Sequence, residues 1–335
     1  MSTSATQALP TTMRAVTQRE FGTDVLRVDE IPVPPAPGAG EVLLQVAAAG
    51  LDRGTWHLMT GEPRIARVAI GWRRPRNLVP GLDVAGTVVA VGPDVTRVAV
   101  GDRVFGIARG SFAPYALALA DKLVIAPDAL TDPEAAVLGI SGLTALQSLR
   151  DAGRVQAGQH VLILGASGGV GSYAVQIAKA LGAEVTGVCS ADKAELVRSL
   201  GADHVLDYRT ADPVDGAIRY DLIIDIGGHR RLSALRRALN ATGTLVIVGS
   251  ETGGKWTGGI GRGFRAMLLS PFVRQRLTMF VSSENAPDLQ VLADMVTAEE
   301  LHPSVDSLVP LADAPDAMRR LAAGEVRGKV AISIA

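Results

Sequence analysis

Apolar and polar positions change rhythm once along the chain, near Thr131. Before it, short segments alternate: MRAVTQRE from Met13, LRVDEIPV from Leu26, EVLLQVAAAGLD from Glu41 and AGTVVAVGPDVTRVAVGDRVFG from Ala85. Gly, Pro and Asp turns separate them, PPAPGAG being the plainest break. Short strands spaced in this way predict a small, partly open barrel. After Thr131, TDPEAAVLGISGLTALQSLRDAG predicts a helical region with an acidic first turn, closed by Gly153. Strands at 161–165, 184–189, 204–206, 221–226 and 243–249 then alternate with helices at 173–181, 192–200 and 230–239. That alternation predicts a doubly wound parallel sheet, making the fold class α/β. A further strand over 277–282, a helix near 287–300, the helix DAPDAMRRLAAG and a last strand KVAISIA complete the pattern.

The run Val161–Ser190, VLILGASGGVGSYAVQIAKALGAEVTGVCS, carries the most specific signal. VLILG is the apolar, branched run of a strand buried on both faces, and glycines follow at once. Gly168 lets the backbone approach a pyrophosphate, and Gly171 lets the next helix pack close to the strand. The fingerprint G-x-G-x-x-G would place its first glycine where this chain has Ala166, while Gly165 and Gly169 add freedom on either side. Gly182 stands where a helix C-terminal cap belongs. Amides opening the helix favour an anion at the turn, so Ala166, Ser167, Gly168, Gly169, Val170 and Gly171 are expected to hold a dinucleotide.

Composition narrows the field. The 335 residues suffice for two domains, and 47% are hydrophobic. A net charge of −1 gives no signature of a nucleic-acid partner. The single cysteine, Cys189, excludes a disulfide framework and a cysteine-rich zinc module, and suits a cytoplasmic location. No apolar run approaches the roughly 20 residues of a membrane span, so no integral membrane association is expected. The polar start MSTSATQALPTTMR lacks a signal-peptide core; residues 1–12 read as a loose tail.

PGLDVAG (80–86), VGDRVFG (100–106), ISGLTALQSL (140–149), GASGGVGSYAVQIAKALGA (165–183), SLGADHVLDY (199–208) and GKVAI (328–332) resemble the medium-chain dehydrogenase/reductase superfamily, and most nearly its zinc-independent, quinone oxidoreductase-like branch. The resemblance covers residues 13–335. It implies a GroES-like partly open β-barrel catalytic domain (1–128 and 303–335) and a Rossmann dinucleotide-binding domain (129–302). Zinc-dependent relatives carry Cys, Gly-His-Glu and a further Cys or Asp; the corresponding positions here are Asp52, Gly81-Leu82-Asp83 and the neighbourhood of Ile140. Leucine and isoleucine bind no metal, and catalytic zinc needs three protein ligands, so no metal is expected. Without a Lewis acid, a quinone or α,β-unsaturated carbonyl is an easier hydride acceptor than an isolated ketone, because conjugation spreads the developing charge.

No carboxylate ends the second strand at Val188-Cys189-Ser190, where an NAD-specific site places one. The resemblance assigns Ser190, Lys193 and Tyr208 to the 2′-phosphate of NADPH; Asp192 argues the other way, toward NADH. Gly249 and Lys329 complete the expected cofactor set. Thr144 is expected beside the nicotinamide, the alternative being a bond to its own helix. Asp52 and Asp83 are expected to share the vacated zinc pocket, where two close carboxylates push one pKa upward and a protonated Asp52 would act as donor. The plainer reading caps a turn with Asp52 and pairs Asp83 with Arg53. His57 is a further candidate donor. Two basic stretches, 64–76 and 255–276, stay open between a solvated loop with a helix that lines the substrate cleft or packs at a dimer interface, an anionic substrate such as a coenzyme A thioester, and a membrane-surface contact. The resemblance implies a homodimer, plausibly through the strand at 277–282, whose open edge invites pairing. The expected activity is NADPH-dependent reduction of a small quinone or activated alkene. The alternatives are an alcohol or aldehyde dehydrogenase and a non-catalytic NADPH-binding sensor or structural protein.

Overall fold

A computed structural model describes residues 9–249, 256, 258 and 260–334. Residues 1–8 of the expected tail, and Lys255 with most of the loop from 250 to 259, lie outside the described residues. The first third is β-rich: β1 (Thr12–Thr17), β2 (Arg27–Pro32), β3 (Glu41–Leu51), α1 (Arg53–Thr60), α2 (Arg67–Ile70), β4 (Asp83–Val91), β5 (Arg103–Ile107), β6 (Tyr115–Leu119) and β7 (Leu123–Ile125). Helices α3 (Asp132–Ala136) and α4 (Gly139–Gln147) follow. Then come β8 (His160–Leu164), α5 (Gly169–Ala180), β9 (Glu184–Cys189), α6 (Ala194–Ser199), β10 (His204–Asp207), β11 (Tyr220–Asp225), α7 (Leu232–Ala238), β12 (Leu239–Ile247), α8 (Ile260–Leu269), β13 (Arg276–Met279) and α9 (Ala286–Thr297). The chain ends with β14 (Val305–Pro310), α10 (Ala314–Ala322) and β15 (Lys329–Ser333).

Strands β8 to β13 form one six-stranded sheet in the order β10-β9-β8-β11-β12-β13, and every pair in it is parallel. The chain winds outward one way from β8, then returns and winds the other way from β11, which is the doubly wound order. Apolar strands buried on both faces require this arrangement, and Val161, Leu162, Ile163, Ile223 and Ile224 are inaccessible to solvent. The other large sheet runs β14-β15-β3-β4-β5-β7, with β6 paired to β3. Here β15, from the far end of the sequence, lies antiparallel to β3 and closes the N-terminal unit. Strands β1 and β2 pair separately.

Several boundaries move. Helix α5 opens at Gly169, four residues before the apolar spacing makes it visible, because its first turn is glycine-rich. Strand β12 opens at Leu239 rather than 243: Asn240–Gly243 has turn composition but stays in the strand through an irregularity opposite Tyr220 and Leu222. Strand β13 ends at Met279. The helical region after Thr131 ends through Arg154, which takes the left-handed conformation at φ 54°, not through Gly153. Gly153 instead admits Leu222, since a Cβ there would stand 2.8 Å from its methyl carbon.

Candidate active site

The turn between β8 and α5 is built by backbone proximity. Gly165 has φ +92°, and a Cβ at Gly171 would stand 2.1 Å from the Gly165 carbonyl oxygen and 2.7 Å from the Ala166 Cα. Only glycine at 171 lets α5 start this close to β8. Ala166 is wholly buried and its amide donates to the Val188 carbonyl at 3.0 Å, so it shapes the turn and has no free amide to offer an anion. Gly168 caps α5 with extended backbone. The amides of Gly169, Val170 and Gly171 then fall in the first turn, where no intrahelical acceptor exists. This helix start offers an anion its unpaired donors and the positive end of the helix dipole.

Beside the turn, at the carboxyl ends of β8, β9 and β11, lies a cleft of about 960 Å³. Leu164, Ser167, Ser190, Lys193, Tyr208 and Asp225 line it, and Ala323, Gly324, Glu325 and Arg327 close it from the segment between α10 and β15. Its position is the switch point where doubly wound sheets take ligands. Ser190 bonds the Asp192 carboxylate, holding it below the usual range, with Arg209 and Lys193 adding to the effect. Arg209 stands 3.7 Å from Asp192 and stacks over the half-exposed Tyr208 ring at 5.6 Å. Lys193 turns its ammonium to the carbonyls of Gly324 (2.7 Å) and Val326 (2.9 Å), joining the two walls. Arg209, Arg230 and Arg327 all line the cleft, although sequence reading singled out none of them. Arg209 follows Tyr208 directly, and that adjacency was the available signal.

At the β11 end, Asp225 is fully buried and 2.6 Å from Arg262 of α8. Burial pushes its carboxyl up, while Arg262 and the Gly228 amide pull it back. Gly249 donates its amide to the Asp225 carbonyl, and a Cβ there would meet the Ile226 carbonyl oxygen at 2.0 Å. Gly249 therefore keeps the loops after β11 and β12 in contact.

The expected catalytic residues Thr144, Asp52 and His57 are not among the residues that line this cleft. Thr144 donates to the Ile140 carbonyl one turn back at 2.6 Å and lies 3.1 Å from the Ser282 hydroxyl. Asp52 is the N-cap of α1, accepting from the Thr55 amide (2.8 Å) and the Thr55 hydroxyl (2.7 Å). Both of its oxygens are thereby engaged. His57 places Nδ1 2.9 Å from the Glu62 carbonyl.

Asp83 carries an upward shift. Its carboxyl is pushed up to about 7, chiefly by burial, with Asp52 adding to the push and the Lys329 ammonium and Ile140 amide opposing it. Its partner is Lys329 at 3.2 Å, not Arg53, which donates to the Ala322 carbonyl. Lys329 is 1% exposed and also donates to the Ser141 hydroxyl at 3.0 Å. Its ammonium points inward, and Arg327, two residues earlier, faces the cleft. The first expected zinc-ligand position is thus a helix cap, the second and third are apolar Leu82 and Ile140, and Asp83 beside Leu82 is held in an ion pair. Among the described residues, no group of three His, Cys, Asp or Glu side chains is placed to hold a metal ion. No helix among them is long and apolar enough to cross a membrane.

Residues 38–128 match the alcohol dehydrogenase GroES-like domain, and residues 200–332 match the zinc-binding dehydrogenase model. A chloroplast envelope quinone oxidoreductase homolog of Arabidopsis thaliana is 31% identical over 96% of this chain and 98% of its own length. The solved quinone oxidoreductase from Coxiella burnetii superimposes with a TM-score of 0.84 at 27% identity, covering 97% of this chain and 100% of that one. A mycobacterial protein solved in complex with NADPH gives 0.79 at 29% identity, covering 96% and 99%. The chain belongs to the medium-chain dehydrogenase/reductase superfamily, in its quinone oxidoreductase-like family. It is an NAD(P)H-dependent oxidoreductase acting on a small molecule. The ligand set of a zinc-binding dehydrogenase does not fit the residues around Asp52 and Asp83.

Proposed function

We propose that this protein is a zinc-independent, NADPH-preferring reductase of quinones or α,β-unsaturated carbonyls. The observation that carries the reading is the pairing of a glycine-built anion turn with a metal pocket filled by protein contacts: Asp52 caps α1, and Asp83 is paired with Lys329. NADPH bound in the cleft would supply a hydride. The first-turn amides of α5 and Ser167 would hold its pyrophosphate. Ser190, Tyr208 and Arg209 would face the 2′-phosphate, with Lys193 fixing the wall behind them. Thr144 would border the nicotinamide, its hydroxyl held by Ile140 and Ser282. No buried acid in this chain need donate a proton, because a conjugated acceptor reduced by hydride can take its proton from water.

A charge-assisted contact to the 2′-phosphate is worth about 1.5–3 kcal/mol, or roughly 10–100-fold in affinity. Supporting a dimer is the open edge of β13, beside exposed Phe264, Leu268 and Phe272 of the α8 region. The single buried cysteine agrees with a cytoplasmic setting.

The test is NADPH oxidation by chelator-treated protein, with a benzoquinone, an enone and a simple aldehyde as acceptors. Turnover of the quinone or the enone, unchanged by chelation, is the expected result. Turnover of the aldehyde alone, or loss of activity with chelator, would overturn it.

A further inference from the structure

Asp83 and Lys329 are 246 residues apart in sequence and form a fully buried ion pair at 3.2 Å. Breaking such a pair leaves an uncompensated buried charge, yet replacing it by apolar groups is often neutral or better, so its presence is not explained by stability. What the pair touches is more telling. Asp83, at the start of β4, accepts the Ile140 amide at 2.6 Å through its other oxygen. Ile140 lies in the first turn of α4, so a carboxylate from the catalytic sheet meets the positive end of the helix that carries Thr144. Lys329 also donates to Ser141, the next residue of that helix.

Lys329 has a second connection. It opens β15, and its neighbour Gly328 donates its amide to the Ser167 carbonyl in the phosphate turn at 2.8 Å. The Lys329 stem passes the start of α5, its Cδ 3.1 Å from where a Cβ on Gly169 would stand. Two glycines make room for the carboxylate. A Cβ at Gly139 would stand 2.6 Å from Asp83 Oδ1, and one at Gly50 would stand 2.8 Å from the Asp83 Cβ. The pair therefore touches both segments that a bound dinucleotide must span, α4 and the turn before α5, and anchors them to the same two strands.

We propose that Asp83 and Lys329 are positioning residues that set α4 and the phosphate turn in register, so that one extended dinucleotide meets both. This rests on the NADPH reading of the cleft. A cofactor reaching from the turn to Thr144 depends on that register, whereas a fragment confined to the adenosine end does not.

The experiment compares two ligands, NADPH and adenosine 2′,5′-bisphosphate, by equilibrium titration on the full-length protein. The variants are Lys329→Met, the near-isosteric Asp83→Asn, their double, and Gly139→Ala, which crowds the carboxylate without removing charge. The expected result is NADPH affinity weakened about 10-fold or more in each single variant, with the bisphosphate changed less than about 3-fold. The double variant should be no weaker than the worse single, because the two residues act as one unit. A fully folded variant that binds both ligands as wild type does, or loses both equally, overturns the proposal. Additive losses in the double variant also overturn it. Should Lys329→Met fail to fold, Asp83→Asn and Gly139→Ala carry the test. Failure of the wild-type protein to bind either ligand instead overturns the NADPH reading on which the proposal rests.

Discussion

The dinucleotide turn and the buried polar cluster around Asp52 and Asp83 are made by different means. On the dinucleotide side, the β8–α5 turn is fixed by main chain: Gly165 at positive φ, Gly171 against the Gly165 carbonyl and a row of first-turn amides. On the catalytic side, around Asp52 and Asp83, the arrangement is fixed by side chains that come from α1, β4, α4 and β15. A backbone device is local and tolerates few residue types. A side-chain device is distributed, and its chemistry changes with each partner. On the proposed reading, the turn is the part that a shared cofactor requires, and the side-chain cluster is the part that can change its chemistry while the fold is kept.

The largest effect is expected where the backbone device is broken. Gly171→Ala places a methyl 2.1 Å from the Gly165 carbonyl oxygen, a contact no rotamer relieves. The start of α5 must move off β8, at an overpacking cost of about 1–3 kcal/mol. That displacement also scatters the amides meant for the pyrophosphate. Fluorescence titration should show NADPH binding weakened by roughly 100-fold or more. Binding within about 3-fold of wild type would show that the turn does not hold the cofactor, and the contrast between turn and cluster would fall.

This asymmetry decides what the sequence makes legible. The parallel sheet and its anion turn follow from VLILG, Gly168 and Gly171, because strand burial and tight βα geometry constrain residue types over a dozen positions. The role of Asp52 as a cap is equally local, Thr55 being three residues on. The Asp83–Lys329 pair is not legible in that way. Both residues stand inside recognisable motifs, PGLDVAG and GKVAI, but nothing local says that β15 returns to β3 and brings Lys329 to β4's first residue. Arg209 and Arg327 escape notice for a related reason. Each is an arginine in a loop, and its meaning comes from the cleft formed by residues 188–193 and 323–327. The misplaced start of β12 shows the opposite failure, with turn-like composition overridden by pairing to β11.

A middle-sized effect should come from the rim, where the two modes meet. Arg209 stacks on Tyr208 and stands 3.7 Å from Asp192, offsetting a carboxylate that would repel a 2′-phosphate. In Arg209→Gln, that carboxylate keeps its bond from Ser190 and the influence of Lys193 but loses the nearer effect of Arg209. Affinity for NADPH should drop about 10-fold and that for NADH by less than about 2-fold, since one charge-assisted contact is at stake. The drop should shrink as salt is raised, because the site is exposed. Equal losses for both cofactors would move Arg209 from phosphate recognition to holding the loop.

The smallest effect separates a cap from a catalyst. Asp52 stands where zinc-dependent relatives have their first ligand, and a carboxyl at that point invites a role in proton transfer. Its bonds argue otherwise, since both oxygens are taken by Thr55 at the start of α1. Asn keeps an acceptor for the Thr55 amide and loses only the second oxygen, whose hydroxyl partner can rotate. Asp52→Asn should therefore cost no more than about 1 kcal/mol, against about 1–2 kcal/mol for Asp52→Ala, which removes the cap altogether. The corresponding fall in Tm is about 2–4 °C per kcal/mol for a chain of this size or somewhat smaller. Turnover of the folded Asn variant should match wild type, because no proton passes through a carboxylate that is fully occupied in capping a helix. A large loss of kcat with Tm unchanged would make Asp52 a donor after all. The side-chain cluster would then hold a proton-transfer group as well as an ion pair.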